Sequence, residues 1–351
     1  GCAEILLSVR YQLKNKKTLE MKLGKIIITL SAIACLVSCN SKKGAAADAV
    51  QAAQPVAVSF NADSAYAFCE AQCAFGPRTM NSGAHDRCGE WIAEKFRQYG
   101  MDVTAQEMTL KAYDGTPLKC TNIIASYKPE LTTRILLCAH WDTRPWADND
   151  PDEANHRKPV LGANDGASGI AVMLETARLI QQADTALNIG VDFVCFDAED
   201  MGTPQWEDSG DSEDTWALGA QYWAKNPHRQ GYEARFGILL DMVGGEGARF
   251  YQEGVSKHFA PEIVKKVWAA AKTAGYGSMF PETEGGMVTD DHLPINRNTG
   301  IPTVVIIAYY PDCERSNFGP TWHTVSDNMD HIDRDVLKAV GQTVVQILFS
   351  E

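Results

Sequence analysis

Residues able to bind a cation or move a proton recur in short clusters along the chain. His140-Trp141-Asp142 is an H-x-D pair, and Gly162-Ala163-Asn164-Asp165-Gly166-Ala167-Ser168-Gly169 is a glycine-rich turn around Asp165. Asp197-Ala198-Glu199-Asp200 offers adjacent acids, of which one can bind a metal while its neighbour stays free as a base. Asp241, Asp290 with Asp291, and His323 followed by Asp327 complete the series. Small residues around Asp165 let a carboxylate and its backbone approach an ion closely. Taken singly, each cluster reads as well as a solvated face or a tight loop.

What raises their value is where they sit. The stretches 134–140, 191–197, 236–243 and 302–309 are short, continuously apolar runs, as expected for strands covered on both faces. The first three run directly into His140, into Asp197 and its neighbours, and into Asp241. Residues 101–110 alternate like a half-buried strand, and 121–127 resembles another. Helical spacing is expected over 84–99, 167–182, 261–274 and 334–349. This alternation predicts a single α/β domain, with a central mixed, mostly parallel β-sheet flanked by helices. In such sheets the ligand crevice lies beyond the carboxyl ends of the strands, where these polar residues gather.

Composition narrows the class. The chain has 351 residues, 45% hydrophobic and 22% charged, which is enough for a sizeable core. A formal charge of −13 argues against nucleic acid as a partner. Residues 1–20 precede a better start at Met21 and read as a non-native upstream segment. Met21 to Lys25 is a short basic start followed by an apolar run, so 21–39 reads as an export signal. Leu36-Val37-Ser38-Cys39 resembles the lipobox of bacterial lipoproteins, which implies a lipid anchor at Cys39 and a periplasmic or cell-envelope location. An ordinary cleaved signal ending near Ala45-Ala46-Ala47 is the alternative. Residues 40–58 read as a flexible tether and 59–351 as the folded domain, expected to be a monomer. With ten cysteines and no C-x-x-C pair, a cysteine zinc site is not expected, although two of Cys69, Cys73 and Cys88 could be bridged in an oxidising compartment.

The order H-x-D, G-A-N-D-G-x-S-G, acid pair after an apolar strand, L-L-D-M and H-T-x-x-D resembles the zinc-dependent aminopeptidase family. That resemblance spans about residues 140–332 and implies the zinc aminopeptidase-like fold. Within the family, Trp322 directly before His323, the D-D-H-x-P motif at Asp290, Trp206 after the acid pair and the terminal H-T-V-S-D-N pattern are similar to glutaminyl cyclases of the animal type.

Carried over by position, this resemblance implies one zinc per chain held by Asp165, Asp200 and His323. It gives Glu199 the general acid/base role, puts Asp241 and Asp290 beside it, and makes Trp206 and Trp322 the pocket walls. The substrates would be peptides and proteins with N-terminal glutamine, cyclised to pyroglutamate with release of ammonia. A di-zinc aminopeptidase using His140 and Asp241 is the rival reading, and an inactive binding module of this fold is a third. Two features depart from the animal pattern: Asp200 stands where those enzymes usually carry Glu, and Gly166–Ile170 offers no disulfide partner for Cys138.

Overall fold

The computed structural model describes residues 53–207 and 213–351. The expected signal, the Cys39 lipobox and the greater part of the expected tether lie outside the described residues.

Every apolar run read as a strand is one, within a few residues. The six strands are β1 (Asp102–Lys111), β2 (Pro117–Tyr127), β3 (Arg134–His140), β4 (Gly190–Phe196), β5 (Gly237–Asp241) and β6 (Thr303–Ile307). They form one sheet in the order β1-β2-β4-β3-β5-β6. β4, β3, β5 and β6 run parallel, while β1 and β2 pair antiparallel at one edge. The helices are α1 (Ala62–Cys73), α2 (Gly83–Gln98), α3 (Ala167–Gln182), α4 (Leu218–Lys225), α5 (Gly254–Phe259), α6 (Pro261–Thr273), α7 (His292–Thr299) and α8 (Arg334–Leu348). The sequence pattern announced α2, α3, α6 and α8. The short α4, α5 and α7 carry too few turns to show a period.

Because side chains alternate along a strand, the parallel core splits cleanly between two faces. Ile135, Leu137 and Ala139 of β3, with Ile238 and Leu240 of β5, join the larger core under α1, α2, α3, α6 and α8. Leu136, Cys138, Leu239, Val305 and Ile307 point the other way and pack with Trp223 of α4 and Ile295 of α7. Burial on both faces explains why these strands read as unbroken apolar runs.

Two expectations are corrected. The tether was expected to extend to Val58, but residues 54–58 lie along α8. The Val56 amide donates to Gln346 Oε1 at 2.9 Å, Gln342 Nε2 donates to the Val58 carbonyl at 2.9 Å, and Gln346 Nε2 donates to the Gln54 carbonyl at 3.0 Å. Glutamine amides hold this strip through its backbone, which its own composition does not disclose. Cys69, Cys73 and Cys88 are free thiols. Cys69 and Cys73 stand one turn apart on α1, where Cβ atoms are about 5–6 Å apart, beyond disulfide reach.

Helix α3 lies close against β3 and β5 at Gly169. A methyl group there would meet the Leu240 carbonyl oxygen at 2.3 Å and Ala139 Cβ at 2.8 Å. Gly169→Ala should therefore destabilise the fold by roughly 1–3 kcal/mol, read as a lower denaturation midpoint in urea. An unchanged midpoint would mean the helix can shift away at no cost.

Candidate metal and catalytic site

The chain steps from β3 to β4 in one direction and from β5 to β6 in the other, so the strand order reverses between β3 and β5. Such a switch point opens a crevice beyond the strand ends. His140 ends β3, Asp241 ends β5, and Asp197 to Asp200 follow β4.

Three side chains from distant segments converge there. Asp165, Asp200 and His323 each place a donor atom within 4.8 Å of the others, and all three are buried. His323 Nε2 lies 3.0 Å from Asp200 Oδ1 and 3.6 Å from Asp165 Oδ2. Both carboxylate oxygens of Asp200 are buried, and apart from the nearby His323 Nε2 neither has a hydrogen-bond partner. A buried carboxylate without donors is costly unless a cation offsets it. Two carboxylates and one imidazole therefore fit a catalytic zinc with an open coordination position. A second group shares Asp165: His140 Nε2 lies 3.1 Å from Asp165 Oδ1 and 3.2 Å from Asp241 Oδ1.

The turns carrying these candidate ligands are gripped through their amides by carboxylates that do not join the cluster. Asp142 accepts from the Glu199 amide at 3.0 Å and the Asp200 amide at 3.2 Å. Asp327 does the same for Asn164 at 2.8 Å and Asp165 at 3.0 Å. Gly166 closes the Asp165 turn at φ +104°, and a Cβ on it would lie 2.5 Å from the Asp142 carbonyl. Arg144 pairs with Asp148 at 2.5 Å and donates to the Asp200 carbonyl at 3.1 Å, while Asp148 Oδ1 stands 3.4 Å from His323 Nδ1. Farther out, His85 Nε2 meets Asp197 Oδ1 at 2.8 Å, and its ring stacks on Trp141. Ala198, Met242 and His323 all adopt left-handed backbone, at φ +53°, +47° and +53°. Such backbone is unfavourable for side-chain-bearing residues and persists where packing over-determines it.

Electrostatics separate the acids. Burial opposes ionisation of Asp200, but His323 and Arg144 outweigh it and hold the carboxyl below its usual range. Burial, reinforced by Asp200, pushes Asp165 up to about 6. Glu199 is pushed well up by burial, with His140 opposing and Asp290 and Asp200 adding to the rise. Asp290 rises for the same reason, helped by Asp241 and Asp291. Burial works against the charged form of His323, yet Asp200 lifts it to about 9. Adjacent acids, Glu199 and Asp200, thus divide into one that resists ionisation and one that favours it.

The ligands open on a pocket of about 220 Å³ that also exposes Glu199, Asp241 and Asp290. Its apolar wall is Trp216, Trp322, Phe318, Ile307 and Met287. The Trp322 ring stacks on His323 at 3.8 Å between centroids, and Trp216 lies parallel to the same imidazole at 6.0 Å. Trp206, expected as a wall, is not one: its ring packs edge-on to Trp146 at 5.8 Å and lies under the Arg157 guanidinium at 3.7 Å. Those two partners draw Trp206 aside, and the chain brings Trp216 to the pocket instead.

The structure brings together every other expected site residue: Asp165, Glu199, Asp200, Asp241, Asp290, Trp322 and His323. Sequence reasoning gave no role to Asp148, Arg144 or Arg78, whose Nη2 donates to the Gly162 carbonyl at 2.7 Å. Nor did it assign one to Asp291, which is buried with both oxygens unbonded. Asp142 and Asp327 stood within recognised motifs, and their proximity to the ligands was the available signal.

Similarity to known proteins agrees with this geometry. A glutaminyl cyclase of Bacteroides thetaiotaomicron, solved with N-acetylhistamine, is 56% identical, with 84% of this chain and 99% of that one covered at a TM-score of 0.81. A Tannerella forsythia glutaminyl cyclase is 52% identical over 84% of this chain and 99% of that one, also at a TM-score of 0.81. Aminopeptidase YwaD of Bacillus subtilis is 26% identical over 72% of this chain, which spans 50% of that protein's length. The pattern of peptidase family M28 matches residues 122–348, which include Asp165, Glu199, Asp200, Asp241, Asp290 and His323. The chain therefore belongs to peptidase family M28.

Proposed function

We propose that this protein is a glutaminyl cyclase, converting N-terminal glutamine of peptides and proteins to pyroglutamate with release of ammonia. The observation that carries the reading is the pocket itself: a single-residue-sized hollow with a carboxyl of raised pKa beside a metal-type donor set. The likeness to solved glutaminyl cyclases over nearly their whole length supports it.

Asp165, Asp200 and His323 would hold one zinc ion per chain, and the chemistry it supplies when bound is polarisation of the substrate's γ-carbonyl. The chain's own residues do the rest. Trp216, Trp322 and Phe318 hold a single glutamine folded back on itself, so that its α-amine faces its own γ-amide carbon. Ring closure is then intramolecular, and most of the required help is orientation. As the new C–N bond forms, Glu199 takes a proton from the amine. It returns that proton to the amide nitrogen as the C–NH₂ bond breaks and ammonia leaves. A carboxyl raised by burial suits both halves of this exchange. Asp290 and Asp200, close to Glu199, disfavour a further negative charge there, and Asp241 lines the same pocket. Export with a lipid anchor at Cys39 belongs to the same proposal, on the strength of the leader sequence alone.

The His140, Asp165 and Asp241 group favours a second reading, a two-metal aminopeptidase. The two readings part on products. A glutamine-initiated peptide should lose about 17 mass units, with every peptide bond intact. Release of free leucine or glutamine at a comparable rate would establish the peptidase instead.

Metal content and rate together test the division of labour. Glu199→Gln should keep zinc and lose turnover by about 10²–10⁴-fold. Asp200→Asn and His323→Ala should lose zinc, and His140→Ala should keep it. Two tightly held ions, one of them lost in His140→Ala, would favour the second reading.

The backbone clamp is separately testable. Asp327→Asn puts an amide where two N–H groups need acceptors, so zinc affinity measured against a competing chelator should fall about 10–100-fold with the fold retained. Unchanged affinity would mean that the Asp165 turn keeps its shape without the clamp.

A further inference from the structure

The catalytic pocket has room for little more than one residue, so the rest of a peptide substrate must leave across its rim. The rim is asymmetric. Met287 is 74% exposed, the most exposed large hydrophobic side chain among the described residues. A second hollow of about 370 Å³ is lined by Tyr251, Tyr309, Tyr310, Pro311 and Pro320, together with Arg249 and Asp312.

Two segments connect the hollows by serving both. Met287 lines the catalytic pocket, and its neighbour Gly286 backs onto Tyr309, whose Cε2 would lie 3.6 Å from a Cβ placed there. Phe318 and Trp322 line the pocket, while Pro320 between them lines the second hollow. Gly319 lies against the Tyr310 ring, 2.7 Å from a Cβ position to Cε2. The end of β6 spans the same gap: Ile307 faces the pocket, and the extended chain continues through the Phe250–Ala308 bridge to Tyr309. With a two-residue repeat, Tyr309 emerges on the same side as Ile307.

The tyrosines are held in place. Tyr251 and Tyr309 meet edge-to-face at 5.3 Å, and the Tyr310 hydroxyl donates to the Glu246 carbonyl at 3.1 Å. Rigid aromatic walls around a half-open hollow bind apolar or aromatic side chains at little entropic cost.

Resting on the cyclase reading, we propose that the residues following the N-terminal glutamine pass over Met287 into this tyrosine-walled hollow. It is then a specificity subsite that favours an aromatic or large apolar side chain at one of the next few substrate positions.

The test uses glutamine amide and a set of Gln-Gly-Gly-Gly peptides with phenylalanine moved through the second, third and fourth positions, following ammonia release. In the wild-type protein, phenylalanine at one position should raise kcat/KM about tenfold over the all-glycine peptide. Tyr309→Ala should abolish that gain while leaving the rate on glutamine amide unchanged, and Tyr309→Phe should retain it. Tyr251→Ala, whose ring packs against Tyr309, repeats the test should Tyr309→Ala fold poorly. Equal kcat/KM for all peptides in the wild type, or a gain that survives both alanine variants, overturns the subsite and leaves the cyclase reading intact. No ammonia from any substrate, glutamine amide included, would instead remove the reading on which the subsite rests.

Discussion

Too many carboxyl groups are buried in one place, and much of the site's architecture answers that constraint. Asp165, Glu199, Asp200, Asp241, Asp290 and Asp291 are all buried around the carboxyl ends of β3, β4 and β5. Burial and mutual repulsion both disfavour ionisation, so each charge that persists needs a donor, a cation or a neighbour that stays protonated. His140 and His323 stand close to Asp165 and Asp200, and the otherwise unbonded oxygens of Asp200 leave room for a metal ion. Glu199, Asp290 and Asp291 take the remaining course and are pushed toward the neutral form.

That constraint explains why so much of the surrounding polar structure is committed to backbone. Asp142 and Asp327 each hold two consecutive amides of a ligand-bearing turn. Arg78 and Arg144, both buried, donate to carbonyls of those same turns. Backbone groups are pinned by charged partners, so the ligand side chains are fixed by their own main chain before any ion arrives. The left-handed backbone at Ala198, Met242 and His323 belongs to the same economy: each lies where a strand or loop must turn sharply to bring a side chain to the site.

The aromatic wall completes the division between the two sides of the pocket. One side is ionic and buried, and the other is Trp216, Trp322 and Phe318. Trp322 stacks on the His323 imidazole and Trp216 lies parallel to it, which ties the position of a metal-type donor to the shape of the pocket.

Much of this was legible in the sequence, for reasons that differ by residue. Strands buried on both faces must be continuously apolar, so β3 to β6 announced themselves, and the polar residues at their ends marked the crevice. The resemblance carried by the motifs implied Asp165, Glu199, Asp200, Asp241, Asp290 and His323, and most of these stand at a strand end or just before a helix. Tertiary structure alone decided what depends on segments meeting across long separations. Trp216 rather than Trp206 reaches the pocket because Trp146 and Arg157 hold Trp206 aside, which no local pattern encodes. Residues 54–58 are ordered by glutamines nearly three hundred positions away on α8, and Asp327 clamps a turn some 160 positions earlier. Periodicity reports which face of an element is buried. It does not report which distant side chain completes a hydrogen bond or which of two nearby rings fills a gap, because those outcomes are set by packing between elements.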